Sequence, residues 1–197
     1  MLKRAFDIVV AALALVLLSP LLLMTALLVK LDSSGPVFFR QQRVGRHGVP
    51  FHIHKFRTMA DGAPGLPITV GADPRITRAG AWLRRTRLDE LPQLWDVLRG
   101  RMSLVGPRPE VPRYVAHYPP ALRAQVLAVR PGITDPASLA HLDEAALLAA
   151  AADPEREYIE RILPAKLQRA ANYASHATLA TDIALLWRTL RALLRRV

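Results

Sequence analysis

The chain has 197 residues, enough to bury one sizeable core, so a single domain with an attached element is expected. It contains no cysteine, which excludes disulfides, thiol catalysis and cysteine-ligated metals. A net charge of +11 points to an anionic partner, whether nucleic acid, anionic lipid or phosphorylated substrate, and by itself excludes none of the three.

Hydrophobic residues make up 51% of the chain, and the excess is concentrated near the N-terminus. Ile8 to Val29 are 22 consecutive positions without a charge. As a straight helix they would span roughly 30 Å, about one hydrocarbon core. A cleaved signal peptide would suit Lys3 and Arg4 before an apolar stretch, but no small-x-small cleavage site precedes Lys30. A simple spanning helix is opposed by two features. Ser19-Pro20 falls at the centre, where proline removes a helix hydrogen bond. Both flanks are basic, with Lys3 and Arg4 before the segment and Lys30, Arg40, Arg43 and Arg46 after it, so the positive-inside rule places both ends on the cytoplasmic side. A helix broken at Ser19-Pro20 that enters and leaves by one face accounts for both facts, the serine hydroxyl satisfying part of the backbone that proline frees. A proline-kinked span accounts for the first only.

After Asp32, Ser33-Ser34-Gly35-Pro36 is a turn that ends the membrane element, which gives a division into residues 1–32 and a cytoplasmic domain over residues 33–197. Val37 to Val44 reads as a strand, Gly45-Arg46-His47-Gly48 as a turn and Phe51 to Phe56 as the return strand, so residues 37–57 form an antiparallel β-hairpin. Asp61 to Asp73 is a loop rich in Gly and Pro. Helical patterning resumes near Ile76, runs from Leu88 to Leu98, and recurs over residues 119–128 and 143–151, with Pro131-Gly132 as punctuation. From Glu155 onward the chain is mostly helical. Leu179 to Val197 sets Leu, Ile and Trp187 on one side and Arg188, Arg191, Arg195 and Arg196 toward the other. Such a basic amphipathic helix suits a membrane interface, and equally a terminal helix packed on the domain with a solvated basic face. The expected fold is helix-rich α/β with a small antiparallel hairpin and interfacial helices.

The densest charge constellation holds Arg75, Arg78, Arg84, Arg85, Arg87, Arg99, Arg101 and Arg108 against Asp89, Glu90 and Asp96. Arginine forks suit bidentate phosphate contacts, although part of such a group always forms a solvated or headgroup-facing surface. Asp89-Glu90 opens a predicted helix, and Thr86-x-x-Asp89 fits a capping box, which is the ordinary reading of these residue types. The chemical reading is that neighbouring positive charge keeps Asp89 ionised, able to attack phosphorus and form an acyl phosphate. Adjacent residues do not face each other on a helix, so Asp89 and Glu90 need different jobs. Cleaving a diphosphate also needs charge neutralisation. Asp89 is the candidate ligand for Mg²⁺, with Lys55, Arg57 and Arg108 as the neutralising cations. His52-x-His54 shares a strand face but has no third ligand nearby, so it reads as strand surface. No P-loop, GxGxxG or GxSxG is present.

Four strings in order carry a resemblance: Pro36-Val37-Phe38-Phe39-Arg40-Gln41-Gln42-Arg43-Val44-Gly45; Lys55-Phe56-Arg57-Thr58-Met59; Leu88-Asp89-Glu90-Leu91-Pro92-Gln93-Leu94; and Met102-Ser103-Leu104-Val105-Gly106-Pro107-Arg108-Pro109. With the Ser19-Pro20 break and Arg130-Pro131-Gly132-Ile133-Thr134, the chain resembles the small, stand-alone members of the bacterial sugar transferase family, the monotopic phosphoglycosyl transferases, over about residues 1–135. The resemblance implies a re-entrant helix broken at Ser19-Pro20 in the bacterial cytoplasmic membrane. It also implies a catalytic pair Asp89-Glu90 and ping-pong transfer of a sugar phosphate from a UDP-sugar to polyprenyl phosphate, with Mg²⁺ bound. Asp89 would be the nucleophile, UMP the leaving group, and Glu90 a positioning or proton-handling residue. Lys55, Arg84 and Arg108 match basic positions near the active site. Where many members follow Pro-Gly-Ile-Thr with Gly-Trp-Ala-Gln, this chain has Asp135-Pro136-Ala137-Ser138, which marks a distinct branch.

A membrane-anchored basic protein without catalysis would explain the charge and the anchor, but not an acidic pair set among arginines and followed by Gly106-Pro107-Arg108-Pro109. A fragment of a larger multi-span transferase is the other alternative; Met1 and its basic flank are read as a true start. Expected partners are the UDP-sugar, polyprenyl phosphate and anionic lipid, with no nucleic acid. Glucose, galactose, GlcNAc and bacillosamine-type donors stay open, as does the oligomeric state.

Overall fold

The structure, a computed structural model, describes residues 1–135 and 144–194. Helix α1 (Leu2–Leu17) and helix α2 (Ser19–Asp32) meet at Leu18 with a bend of 64°. Pro20 has no N–H for the carbonyl of Val16, four residues back, and the Ser19 hydroxyl donates to that oxygen instead, at 2.8 Å. The break therefore sits where the sequence places it and for the anticipated reason. Among the described residues no single helix is long and apolar enough to cross a membrane; the bent pair passes that test only together. Val16 is 71% exposed and Leu23 72%, so the elbow presents bare hydrocarbon.

The hairpin forms as expected, β1 (Phe38–Val44) pairing antiparallel with β2 (Pro50–Phe56), Phe38 opposite Phe56 and Val44 opposite Pro50. His47 at φ 59 and Gly48 at φ 79 close the turn. Helix α3 (Arg78–Thr86) is capped by Thr77, whose hydroxyl accepts the N–H of Gly80 at 3.0 Å. The single helix expected over Leu88–Leu98 is instead a 3₁₀ turn (Leu88–Glu90) followed, after Pro92, by α4 (Gln93–Leu98). Strand β3 (Ser103–Val105), helices α5 (Pro112–Val115) and α6 (Pro120–Val126), and strand β4 (Gly132–Thr134) follow. The parallel pairing of β3 with β4 was not foreseen from the sequence, which shows only Pro131-Gly132 as punctuation. The remaining elements are α7 (Glu144–Ala149), α8 (Pro154–Glu157), a π turn (Tyr158–Ile162), α9 (Leu163–His176) and α10 (Leu179–Leu194).

Three apolar clusters hold these elements. Ala11, Phe51, Ile53, Val97, Met102 and Leu104 join α1, the hairpin, α4 and β3. Val29, Phe56 and Leu83 join α2, β2 and α3. Tyr114, Val115, Tyr158, Leu163 and Leu167 form the far core. The first turn of α1 is docked by polar groups. Arg4 donates to the carbonyls of Val97 at 2.7 Å and Leu98 at 3.1 Å, at the C-terminal end of α4 where a cation is favoured. Asp7 accepts from the Ser103 hydroxyl at 2.8 Å and the Leu104 N–H at 3.2 Å, and Lys3 pairs with Asp182 of α10.

β3 and β4 approach so closely that a Cβ on Gly132 would lie 2.0 Å from the nitrogen of Gly106. The three nearest atoms all belong to the Gly106 backbone, so none can swing aside. Gly132→Ala is expected to lower stability by about 3 kcal/mol, read as a drop in the thermal unfolding midpoint of detergent-solubilised protein. A wild-type midpoint would contradict this packing.

Candidate active site

Three segments meet at one buried carboxylate. Strand alternation puts Phe51, Ile53 and Lys55 on one face of β2, the first two in the core and the third at the end of the row. Arg87, in the left-handed region at φ 60, ends α3 and turns the chain so that Leu88–Glu90 folds back toward that strand. The loop after β3 carries Arg108. It is held by the Gly106 N–H to the Thr134 carbonyl (3.0 Å), the Gly132 N–H to the Pro107 carbonyl (2.9 Å) and the Arg43 guanidinium to the Pro109 carbonyl (3.0 Å).

Glu90 is the meeting point. Its Oε1 lies 2.8 Å from Lys55 Nζ, 2.5 Å from Arg108 and 3.6 Å from Arg87, and its Oε2 takes a second Arg108 contact at 3.3 Å. Burial would raise its pKa, but Arg108 and Lys55, with Arg87 behind them, hold this carboxyl well below the usual carboxylate range. Burial pulls Lys55 down to about 8, against the opposing pull of Glu90. Arg108 is pushed up, first by Glu90.

Asp89, its neighbour, is also buried, yet its Oδ1 has no hydrogen-bond partner among the described residues. The sequence reading held Asp89 ionised through surrounding positive charge. Lys55, Arg87 and Arg84 do pull its pKa down, but burial and the charge on Glu90 outweigh them, and the carboxyl is raised. Glu90 has taken the cations. The two acids differ in their contacts: Glu90 binds the protein's own cations, and Asp89 keeps an oxygen that no described residue occupies. The capping box is a correction as well. Thr86 closes α3, its hydroxyl donating to the carbonyls of Trp82 (3.0 Å) and Leu83 (3.2 Å), because Arg87 leaves the helical region before Asp89 is reached.

Lys55, Arg108, Asp89 and Glu90 are thus brought together. Arg84, half-buried, reaches the Thr58 hydroxyl and the Thr69 hydroxyl at 2.8 Å each, close enough to act on Asp89 through its charge. Arg57 is not brought in. It bonds the Pro36 carbonyl (2.6 Å), the Ser33 hydroxyl (2.5 Å) and the Ser33 carbonyl (2.8 Å), tying β2 to the exit of α2. Ser19 and Pro20 lie at the elbow between α1 and α2, away from this cluster. Arg75 is paired with Asp73, and Arg99 lies over the ring of Trp95.

Sequence reasoning did not single out Arg87 as a partner of Glu90, although the i, i+3 spacing carries that signal. Nor did it find Asp135 as a buried charge acting on Arg108. Of the branch-marking string, Pro136, Ala137 and Ser138 lie outside the described residues, as do Arg195 and Arg196 of the C-terminal helix.

A divalent cation fits this arrangement in one way. Among the described residues no three His, Cys, Asp or Glu side chains gather to enclose a metal. Asp89 offers one buried carboxylate oxygen without a hydrogen-bond partner, which matches Mg²⁺ held by one or two carboxylates plus the oxygens of a phosphorylated substrate.

The family model described as Bacterial sugar transferase matches residues 1–196. A UDP-N-acetylgalactosamine-undecaprenyl-phosphate N-acetylgalactosaminephosphotransferase of Aeromonas hydrophila is 38% identical over 196 residues, 98% of this chain and 43% of that protein. A UDP-glucose:undecaprenyl-phosphate glucose-1-phosphate transferase of Escherichia coli K12 is 49% identical over 138 residues, 68% of this chain and 30% of that protein. The exopolysaccharide production protein PSS of Rhizobium leguminosarum bv. phaseoli is 56% identical over 110 residues, 54% of this chain and 55% of that protein. In each case the chain spans less than two thirds of the relative's length.

The two acids should respond oppositely to neutralisation. Glu90→Gln leaves Lys55 and Arg108 buried without a counter-charge and is expected to cost about 3 kcal/mol at neutral pH. Because the folded-state pKa of Glu90 is depressed, its contribution is present above about pH 4.3 and is lost as pH falls through the folded value, so the deficit should shrink in acid. Asp89, whose pKa is raised by burial, should tolerate Asp89→Asn with an unchanged or higher midpoint. Thermal melts of both variants across pH check the pair of signs.

Proposed function

The chain belongs to the bacterial sugar transferase family, and from that premise we propose that it transfers a sugar 1-phosphate from a UDP-sugar to polyprenyl phosphate at the cytoplasmic face of a bacterial membrane. The observation that carries the proposal is the division of labour between two adjacent buried acids, one saturated with cations and the other keeping a bare oxygen. The named activities of the relatives, sugar phosphotransferases using undecaprenyl phosphate, support the same reading.

In the proposed reaction Asp89 attacks the β-phosphorus of the UDP-sugar. A bond forms between its carboxylate oxygen and phosphorus, the bond from that phosphorus to the bridging oxygen breaks, and UMP leaves with the electron pair. A phosphate oxygen of polyprenyl phosphate then attacks the same phosphorus, freeing Asp89 and giving the polyprenyl diphosphate sugar. Lys55 and Arg108, held in place by Glu90, face the developing negative charge, and Arg84 adds to the field from behind Thr58. Mg²⁺, bound to Asp89 and substrate oxygens, would supply neutralisation of the diphosphate and favour the ionised form of that carboxyl.

The membrane placement rests on the bent pair α1–α2, read as a re-entrant element over residues 1–32 with the catalytic body over residues 33–197. Its elbow is bare hydrocarbon, and its N-terminal charges are spent on the body rather than on the far side of a bilayer. α10 lies beside this element through the Lys3–Asp182 pair and exposes Ile183, Trp187 and Leu190, with Arg188 and Arg191 in the same helix. That is the composition of a helix resting on anionic headgroups.

Detergent-solubilised protein given Mg²⁺ and a panel of UDP-sugars, N-acetylgalactosamine and glucose first, should release stoichiometric UMP without polyprenyl phosphate and gain the mass of one sugar phosphate. Asp89→Asn should lose UMP release by at least roughly 10³-fold and gain no mass; turnover at the wild-type rate would remove Asp89 as nucleophile. The pKa of Lys55, about 8, makes a second prediction: kcat/KM, which reports the free enzyme, should fall above about pH 8 as the ammonium loses its proton. Lys55→Arg should flatten that alkaline limb.

A further inference from the structure

Behind the site lies a second buried acid with a histidine attached. Asp96 on α4 is 0% exposed. Its Oδ2 accepts the backbone N–H of His54 at 3.0 Å, and its Oδ1 lies 2.8 Å from Nδ1 of the same residue. Both oxygens of the one carboxylate thus meet His54, one at its backbone and one at its ring. The N–H of His54 is directed to Asp96 rather than to its cross-strand partner Arg40, so the carboxylate occupies the edge of β2 that no strand among the described residues covers. The carbonyl of Asp96 also accepts the N–H groups of Arg101 at 3.0 Å and Met102 at 3.2 Å, which start the run into β3 and on to Arg108. One residue thus grips the strand bearing Lys55, the helix following Asp89-Glu90 and the segment leading to Arg108.

Strand alternation makes the consequence specific. His54 and Lys55 point to opposite faces of β2, so the imidazole does not reach Glu90 itself. It acts on the backbone at position 54, and the next side chain along is Lys55, which must bridge 2.8 Å to Glu90. On the other side of Lys55 the strand is fixed by buried Phe56 against Val29 and Leu83. The apolar anchor holds one neighbour of Lys55 and the polar clamp holds the other.

We infer that His54 and Asp96 are positioning residues for the proposed transfer, acting through the backbone of β2 to hold Lys55 against Glu90. The inference rests on the functional reading above, and its test has one arm that needs the reaction and one that does not. In the first, UMP release is measured for His54→Phe in the wild-type and Lys55→Met backgrounds. His54→Phe should lower the rate between about tenfold and a hundredfold in the wild type and cause no further loss beside Lys55→Met. Asp96→Asn can accept the His54 N–H and donate to Nδ1, so it should keep activity within about threefold. An equal loss in both backgrounds would make the pair merely structural and overturn the inference.

The second arm labels the 197-residue protein with an amine-reactive reagent across pH 7 to 11 and reads Lys55 by mass spectrometry. The labelling midpoint should lie near 8 in the wild type. In His54→Phe it should move toward about 10.4 as Lys55 gains solvent, and in Asp96→Asn it should stay. An unmoved midpoint in folded His54→Phe overturns the inference. If no UDP-sugar gives UMP with the wild type, the functional reading fails, and the labelling midpoints still decide whether the clamp sets Lys55.

Discussion

Everything near the site is arranged around the need to bury Glu90 as an anion. A lone carboxylate moved out of water would carry a penalty of several kcal/mol, and it stays charged only because cations meet it with good geometry. Lys55 comes from a strand, Arg87 from a left-handed helix terminus and Arg108 from a loop between parallel strands. None of these segments is near the others in the chain, so the ion cluster is also the tertiary closure of the domain. The cost of collecting so much charge falls on Asp89. It shares the burial and feels the negative charge of Glu90, and its own oxygen is left without a donor. A fold selected for stability alone would have no use for that second acid, whereas a reactive carboxylate needs an oxygen that no protein donor occupies.

The high positive charge is less of a phosphate-binding surface than the sequence implies. Much of it is spent on backbone carbonyls: Arg4 on the end of α4, Arg46 on Ala128, Arg57 on Ser33 and Pro36, Arg130 on Gly100. The arginine fork is suited to this, because several donors on one planar group can close loops whose carbonyls have no strand or helix partner. Arg57 shows how composition misleads. It lies two residues beyond Lys55, which strand alternation would put on the same face, but β2 ends at Phe56 and the side chain turns to the segment that leaves α2 instead.

What could be read from the sequence follows from how local each signal is. The Ser19-Pro20 break and the hairpin closed by Gly45 to Gly48 depend on residues within a few positions of one another, and both are found where residue chemistry puts them. The β3–β4 pair is three residues on each side, far apart in sequence, and its specification is the mutual closeness of Gly106 and Gly132, which no period reveals. Asp89-Glu90 stood out by its company, but which acid would take the cations depended on Arg87 leaving the helix at φ 60, a tertiary choice that made Thr86 a helix end rather than a cap. His52-x-His54 read as strand surface because its partner, Asp96, is distant in sequence and belongs to a helix whose other buried residues are mostly apolar.

The bent helix pair is fastened at both ends to the elements that carry the site. At its start, Arg4 and Asp7 grip the end of α4 and the head of β3. At its exit, Asp32 accepts the N–H of Ala79 in the first turn of α3 at 3.2 Å, and Ser33 is held by Arg57 from the end of β2. Between them Val29 shares a cluster with Phe56 and Leu83. Lys55 adjoins Phe56, Arg108 follows Leu104 by four residues, and Glu90 lies on the turn between the attachments at Leu83 and Val97. If the elbow sits among acyl chains, its depth is transmitted through packed side chains and buried hydrogen bonds to the acid pair, which is then fixed at a set height relative to the bilayer surface. For an acceptor whose phosphate sits at headgroup level while its hydrocarbon stays in the membrane, that rigid attachment is what would let a buried aspartate meet it without lifting the lipid out.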